Sequence, residues 1–259
     1  MKYIPKTIHL VWFGGNPYSK IVLYCIKSWK KMCPDYEIKV WNEETFDVTC
    51  NKFVNEAYQN KKWAFVSDYV RLYALYNYGG VYIDSDVELL KSFEPLFENE
   101  HCATGYEGDL WIPAAIMAAE PKNEWIKLLL DYYKERSFVK SDGSLDMKAN
   151  TAIITELSKT QCQFEMGDFE IALGNVKLFP TEYFQPYKKQ QFDFQNDESI
   201  SKCHSYYEIT NNTVCIHHNT VTWSKDSGAS KKIKAFVRKI LPKDLMEILR
   251  KIYYKRYKW

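Results

Sequence analysis

The chain has 259 residues, of which 46% are hydrophobic and 26% charged, so it can bury a sizeable core and is not a disordered protein. It contains no run of about 18 apolar residues that would predict a membrane-spanning helix. The formal net charge of +2 conceals an asymmetry, because residues 231–259 hold eleven basic and two acidic side chains while the rest of the chain is acidic.

The seven cysteines are widely spaced and form no CxxC pair. This pattern favours reduced thiols over a disulfide scaffold or a zinc ribbon. The first residues, MKYIPKTIHLVWFGG, read as a short strand and lack the pattern of a secretory signal peptide. We therefore expect a cytoplasmic protein.

Hydrophobic periodicity predicts alternating strands and helices in the first third of the chain. In chain order these are a strand at 8–13, a helix at 20–31, a strand at 36–41, helices at 51–60 and 63–78, and a strand at 81–84. Glycine pairs follow the first strand and precede the last, where they mark tight turns. This alternation is typical of an α/β fold with a mainly parallel sheet.

The later patterns are weaker. They predict a strand near 102–106, an alanine-rich segment at 114–119, a helix at 123–133, a loop and helix within 141–160, and strands at 176–179 and 214–218. No Pro/Gly/Ser-rich linker divides them. We predict one catalytic domain over residues 1–225 and a basic helical tail over 226–259.

The most informative residues are Asp84 and Asp86, which stand two apart at the end of a predicted strand. Both carboxylates then leave the same face of that strand and can hold a hard divalent ion that keeps open positions for ligand phosphates. Asp68 and Arg71 lie three apart on the preceding helix. If these residues have no catalytic role, Asp84 and Asp86 are two solvated acids, and Asp68 and Arg71 form an ion pair on the surface of the helix.

The order of residues from Ser67 to Asp86 is S-D-x-x-R-x-x-x-L-x-x-x-G-G-x-Y-x-D-x-D. This pattern resembles the signature of glycosyltransferase family 32, whose members are DXD-containing sugar transferases of capsule, lipopolysaccharide and Golgi pathways. It is also similar to the core of the large clostridial glucosylating toxins. Residues 4–15, 29–42 and the segment from His217 to Trp223 resemble other parts of the family, so the likeness spans roughly residues 4–225.

The resemblance implies a GT-A fold, in which a Rossmann-like sheet binds a nucleotide-sugar at the carboxyl ends of its strands. Trp12 would stack on the base, although a tryptophan on a strand is also a common core residue. Asp68 and Arg71 would hold sugar hydroxyls and the diphosphate, Asp84 would reach the ribose or sugar, and Tyr82 is counted among the donor-binding residues. Asp68, Arg71 and Asp84 are the implied catalytic set.

The resemblance also implies a Mn²⁺ or Mg²⁺ ion bound by Asp86 and a late histidine. We take His218 as that ligand and His217 as the second choice. Imidazole with carboxylate is a chemically sensible set for Mn²⁺. Trp223 would cover the diphosphate.

The implied reaction is retaining transfer of a hexose to a saccharide acceptor in bacterial capsule or lipopolysaccharide synthesis. UDP-galactose is the first candidate donor, followed by UDP-glucose or UDP-N-acetylhexosamine. Pro113 and residues 219–222 depart from the usual family pattern, so the resemblance does not fix the contacts that select the donor. Glu107 or Asp109 is a candidate contact for the acceptor. Two alternatives stay open: a protein-glucosylating effector, and a non-catalytic nucleotide-sugar-binding adaptor.

The tail over 231–259 interleaves basic residues with aliphatic and aromatic ones. Such helices suit an anionic membrane surface, and a lipid-linked oligosaccharide acceptor would explain such contact. The expected location is then the inner face of the cell membrane. Packing of the tail on the body is the alternative, and nucleic acid is a weaker one because no recognisable motif is present.

Overall fold

The structure is a computed structural model that describes residues 2–108, 111–189 and 203–220. The predicted tail over 226–259, the domain boundary at residue 225, Asp109 and Trp223 lie outside these residues. The predictions about them therefore stay predictions. No helix in the described ranges is long and apolar enough to cross a bilayer.

The described chain alternates strands and helices, as the sequence predicts. The strands are β1 (Thr7–Val11), β2 (Glu37–Trp41), β3 (Gly80–Ile83), β4 (Val87–Leu89), β5 (Cys102–Gly105), β6 (Ile116–Ala119), β7 (Glu170–Ile171), β8 (Val176–Phe179) and β9 (Cys215–His217). The α-helices are α1 (Lys20–Met32), α2 (Lys52–Gln59), α3 (Trp63–Tyr78), α4 (Glu94–Phe97), α5 (Glu124–Asp131), α6 (Asn150–Gln161) and α7 (Thr181–Phe184), and Cys203–Tyr206 form a 3₁₀ helix.

Seven strands form the central sheet, in the order β2-β1-β3-β6-β5-β8-β7. β1 runs parallel to β2 and β3, whereas β6 is antiparallel to both of its neighbours. The α/β class and the mainly parallel sheet are confirmed, because five of the seven strands run in one direction and only β6 and β7 are reversed. The reversal of β6 follows from the short connection over 106–115, which contains no helix, since a parallel crossover needs a dozen or more residues.

Helices cover both faces of this sheet. On β3, Tyr82 joins the apolar cluster that contains residues of α2, α3 and α5, while Val81 and Ile83 join the cluster that contains Trp29 of α1. Because successive side chains of a strand point to opposite faces, one buried strand contributes to both cores.

The turn between α3 and β3 depends on its glycines. Gly79 and Gly80 have φ angles of 64° and 99°, which favour glycine. A Cβ atom on Gly80 would lie 2.6 Å from the carbonyl oxygen of Thr7 in β1. The close turn brings β3 directly from the helix into the sheet, so residues of α3 and residues after β3 reach the same edge.

A second sheet of two strands was not predicted in full. β4 pairs antiparallel with β9, and Val87 is opposite His217. The sequence predicts the strand at 214–218 but not β4, which is only three residues long. This pairing joins the residues after the DXD motif to the late histidines.

Candidate active site

Two predicted donor-binding residues follow neighbouring parallel strands. Trp12 comes after β1 and Asp84 after β3, so both lie at the carboxyl edge of the sheet, where α/β proteins bind ligands. Trp12 is half-buried, its indole nitrogen donates to the carbonyl of Asn16 at 2.7 Å, and its ring meets Tyr18 edge-on.

Asp84, Asp86 and His217 form a cluster of possible metal ligands at this edge, with one atom of each within 4.8 Å of the others. Nε2 of His217 lies 3.2 Å from Oδ1 of Asp86 and 3.9 Å from Oδ2 of Asp84. Two carboxylates and one imidazole are the oxygen and nitrogen donors that Mn²⁺ accepts. These three side chains therefore fit the divalent ion that the family resemblance implies.

The pairing of β4 with β9 holds Asp86 in this position. Its backbone carbonyl accepts from the amide of His218 at 3.0 Å. Its Oδ2 accepts from both the amide and the hydroxyl of Thr220 at 2.8 Å. Burial would raise the pKa of Asp86, but His217 and Thr220 hold that pKa well below its usual value.

His217 is a cation among carboxylates. Burial would lower the pKa of its imidazole, but Asp86, Asp84 and Glu107 raise that pKa to about 9. The side-chain amide of Gln185 lies 3.2 Å from Nδ1 on the other side of the ring. An imidazolium therefore stands where a divalent cation is expected, and a metal ion must displace its proton from Nε2.

Arg71 links the two predicted catalytic carboxylates, Asp68 and Asp84. It is only 5% exposed, and it donates to Asp68 at 3.0 Å and to Asp84 at 3.2 Å. Its guanidinium also donates to the carbonyl of Ala114 at 2.9 Å and lies over the ring of Tyr82. All of these contacts restrict the orientation of Arg71 to one position between α3 and β3.

Tyr82 and Asp68 are both buried beneath the site. Tyr82 donates its hydroxyl to Asp84 and belongs to the core rather than to an open pocket. Burial raises the pKa of Asp68 to about 7, against the opposing effect of Arg71. Tyr82 therefore holds Asp84 directly, whereas Asp68 acts on it through Arg71.

The structure does not bring His218 to the DXD carboxylates. His218 is fully buried, and its Nε2 lies 3.1 Å from Oε2 of Glu88. The geometry thus favours His217, the second choice from the sequence, as the histidine of this cluster. Adjacent residues of a strand point to opposite sides, and the sequence carries no signal for which side faces Asp86.

Sequence analysis did not predict two residues that contact the cluster, Gln185 and Thr220. Gln185 follows α7, and Thr220 lies in the segment that departs from the usual family pattern. Neither residue type has a spacing that predicts its role. The charge of Glu107 interacts with the charges of the site. Burial raises the pKa of Glu107, His217 lowers it, and Asp84 raises it further.

Residues 19–103 match the family model described as "Glycosyltransferase sugar-binding region containing DXD motif". This match contains the whole segment 67–86 and confirms the resemblance on which the sequence prediction rests. Inositol phosphoceramide mannosyltransferase 3 of Schizosaccharomyces pombe is 34% identical over 97 residues, which are 36% of this chain and 27% of that protein. The chain thus spans about a quarter of that relative's length.

Solved structures of glycosyltransferases are also similar. The galactosyltransferase LgtC, in complex with donor and acceptor sugar analogues, is 12% identical, with 93% of this chain and 99% of that chain covered and a TM-score of 0.45. The PaToxG glycosyltransferase is 20% identical, with 61% and 70% covered and a TM-score of 0.43.

Proposed function

We propose that this chain is a retaining, metal-dependent glycosyltransferase of the GT-A type, which moves a hexose from a nucleotide-sugar to a saccharide acceptor. The observation that carries the proposal is the cluster of Asp84, Asp86 and His217 at the carboxyl edge of the sheet, with its two carboxylates inside the matched sugar-binding region. An adjacent indole, Trp12, supplies a surface for the base.

Asp86, His217 and Asp84 would hold Mn²⁺ or Mg²⁺. When bound, the ion would neutralise the charge that develops on the diphosphate leaving group. The protein's part is to keep these side chains in one arrangement before the donor arrives. Thr220 fixes one oxygen of Asp86, and Gln185 lies against the far nitrogen of His217. Such partners orient ligands and strengthen binding.

Arg71 acts mainly as a positioning residue in this proposal. Its guanidinium bridges Asp68 and Asp84, and Tyr82 donates to the same oxygen of Asp84 as Arg71 does. The second oxygen of Asp84 is left to face His217 and the donor. Asp68 and Asp84 would then meet donor hydroxyls, and Trp12 would stack on the base.

Transfer itself is a positioning problem, because the acceptor hydroxyl must approach the anomeric carbon closely. Retention of configuration follows from the family resemblance. Glu107 is the described candidate for the acceptor side, since it lies near His217 and Asp84 and its pKa is raised by burial. A carboxylate whose pKa is raised is a stronger base and can accept a hydrogen bond or the proton from an acceptor hydroxyl.

UDP-galactose remains the first donor proposed, with UDP-glucose and UDP-N-acetylhexosamine next. The fungal relative carries the name of a mannosyltransferase, so GDP-mannose is the second donor class to test. We propose capsule or lipopolysaccharide assembly as the setting, with residues 231–259 touching an anionic inner membrane surface. The competing proposals remain a protein-glucosylating effector and a non-catalytic adaptor.

The test is donor hydrolysis by the purified full chain against these UDP- and GDP-sugars, with Mn²⁺ and with EDTA. Cleavage of one donor that requires the metal supports the proposal and identifies the sugar. Asp86→Asn should abolish it, whereas Asp35→Asn, at an exposed position before β2, should not. The proposal fails if no donor is cleaved and if UDP with Mn²⁺ also leaves the melting temperature unchanged.

A further inference from the structure

A second cluster of ligand-type side chains lies on the far side of β9 from the DXD site. It consists of Glu88 on β4, Cys203 and His204 on the 3₁₀ helix, and His218 after β9. Three of these are almost without solvent contact: Glu88 is 4% exposed, and Cys203 and His218 are 0% exposed. A carboxylate, a thiol and two imidazoles are therefore gathered inside the protein from three separate segments.

Glu88 lies at the centre of this cluster. Its Oε1 lies 2.8 Å from Nε2 of His204, and its Oε2 lies 3.1 Å from Nε2 of His218 and 3.8 Å from Sγ of Cys203. Single ligand atoms of Glu88, Cys203 and His204 all lie within 4.8 Å of one another.

We propose that Glu88, Cys203, His204 and His218 form a zinc-binding site separate from the DXD cluster. Thiolate, imidazole and carboxylate are the three ligand types that zinc takes from proteins, and four of them complete a tetrahedron. With metal–ligand bonds of about 2.0–2.3 Å, neighbouring ligand atoms of a tetrahedron lie about 3.3–3.5 Å apart. The observed separations of 2.8, 3.1 and 3.8 Å all start from Glu88, whose Oε1 faces His204 and whose Oε2 faces His218 and Cys203. The carboxylate must therefore turn to present one oxygen to the ion, and His218 must move towards the three side chains that already lie together.

The thiol is the ligand that distinguishes this cluster from a purely hydrogen-bonded network. A thiol is a weak hydrogen-bond donor, so Cys203 gains little from facing a carboxylate. As a thiolate bound to zinc it would become a strong ligand, with its proton released to solvent. The DXD cluster of Asp84, Asp86 and His217 has no sulfur and offers two carboxylates. It would therefore prefer a hard cation such as Mn²⁺ or Mg²⁺, whereas the cluster with the thiol would prefer zinc.

Four protein ligands leave no open coordination position, so the role of this site would be structural. The ion would fasten the 3₁₀ helix to the sheet of β4 and β9. That sheet also positions Asp86 and His217, two and one residues along the chain from Glu88 and His218. The side chain of His204 is 45% exposed, which gives an ion a route from solvent.

Cobalt substitution tests this inference without relying on sugar transfer. The full chain, reduced and stripped with a chelator, is titrated with Co²⁺ and its absorption is recorded. We expect a thiolate-to-cobalt charge-transfer band and intense tetrahedral visible bands that saturate at one equivalent. Excess Zn²⁺ should remove them.

Matched variants assign the signal. Cys203→Ser should lose the charge-transfer band, whereas Cys50→Ser, at an exposed thiol, should keep it. Asp86→Asn, in the other cluster, should also keep it. His204→Ala removes a half-exposed ligand, so it should fold and yet weaken Co²⁺ binding at least tenfold. The inference is overturned if the native chain gives no such band, or if Cys203→Ser retains it.

Melting temperature gives a second readout. One equivalent of Zn²⁺ should raise it for the native chain and for Asp86→Asn, but not for Cys203→Ser or His204→Ala. An equal rise in all four proteins would place the zinc elsewhere and refute the assignment. Loss of donor hydrolysis alone would leave these zinc results unchanged, so the two proposals fail separately.

Discussion

His217 and His218 are adjacent in the chain, yet their imidazoles contact carboxylates in two different clusters. Nε2 of His217 lies 3.2 Å from Asp86, and Nε2 of His218 lies 3.1 Å from Glu88. Asp86 immediately precedes β4, and Glu88 lies within β4 two residues further along the chain. The pairing of β4 with β9 therefore divides these two carboxylates and two imidazoles between two clusters of different chemistry.

The first prediction concerns His217 as a metal ligand. His217→Ala should lower the affinity of the DXD cluster for Mn²⁺ by about 100-fold, because it removes the nitrogen donor next to both carboxylates. Titration calorimetry with Mn²⁺ measures the change. His101→Ala is the control, since His101 pairs with Glu120 instead. Unchanged Mn²⁺ affinity in His217→Ala would refute the assignment.

Gln185 is expected to act through His217. Its side-chain amide nitrogen lies 3.2 Å from Nδ1. Once the amide group is turned over, its oxygen can accept the Nδ1–H of an imidazole whose Nε2 binds metal. Gln185→Leu should raise the Mn²⁺ concentration for half-maximal donor hydrolysis about 10-fold to 100-fold, with little change at saturating metal. Gln59→Leu, at the exposed end of α2, serves as control. A lower rate at saturating Mn²⁺ with no change in metal dependence would contradict this positioning role.

Arg71 should matter for stability as well as for catalysis. Arg71→Met leaves Asp68 and Asp84 without their buried cation, which should reduce the free energy of unfolding by about 3 kcal/mol. Urea denaturation at pH 7 measures this loss. The double variant Asp68→Asn/Arg71→Met should recover part of it, because one of the unpaired carboxylates is gone. Equal destabilisation of the single and double variants would show that lost packing, not charge, is responsible.

His9 should make folding sensitive to mild acid. It is fully buried in β1, its Nε2 donates to the carbonyl of Gly79 at 2.6 Å, and its Nδ1 accepts from Trp41 at 3.1 Å. Burial lowers its pKa to about 4, against an unfolded value of 6.5. The unfolded chain then binds the extra proton between these values, so stability present above pH 6.5 is lost as the pH falls towards 4.

The size of this effect follows from the pKa difference and amounts to about 3 kcal/mol in the free energy of unfolding. His9→Gln supplies a donor and an acceptor that do not titrate. Urea denaturation between pH 4 and pH 7 should show a steeper decline for the native chain than for His9→Gln. Parallel curves for the two proteins would show that His9 is not the source of acid sensitivity.

Much of the fold and half of the candidate site could be read from local patterns. The helix at 63–78, the glycine turn and the strand that follows are continuous in the chain, so local geometry places Asp68, Arg71 and Asp84, whereas Asp86 is also held by residues after β9. Helical spacing and a tight turn suffice to bring them to one edge of the sheet. The sequence by itself therefore determined the α/β alternation and the acidic centre of the site.

Only the tertiary structure decided the rest. The reversal of β6, the pairing of β4 with β9, and the choice of His217 over His218 depend on contacts between residues far apart in the chain. A shift of one residue in that antiparallel register would exchange the two histidines, because side chains alternate between the faces of a strand. The register is set by what the strands pack against, and no pattern within either strand contains that information.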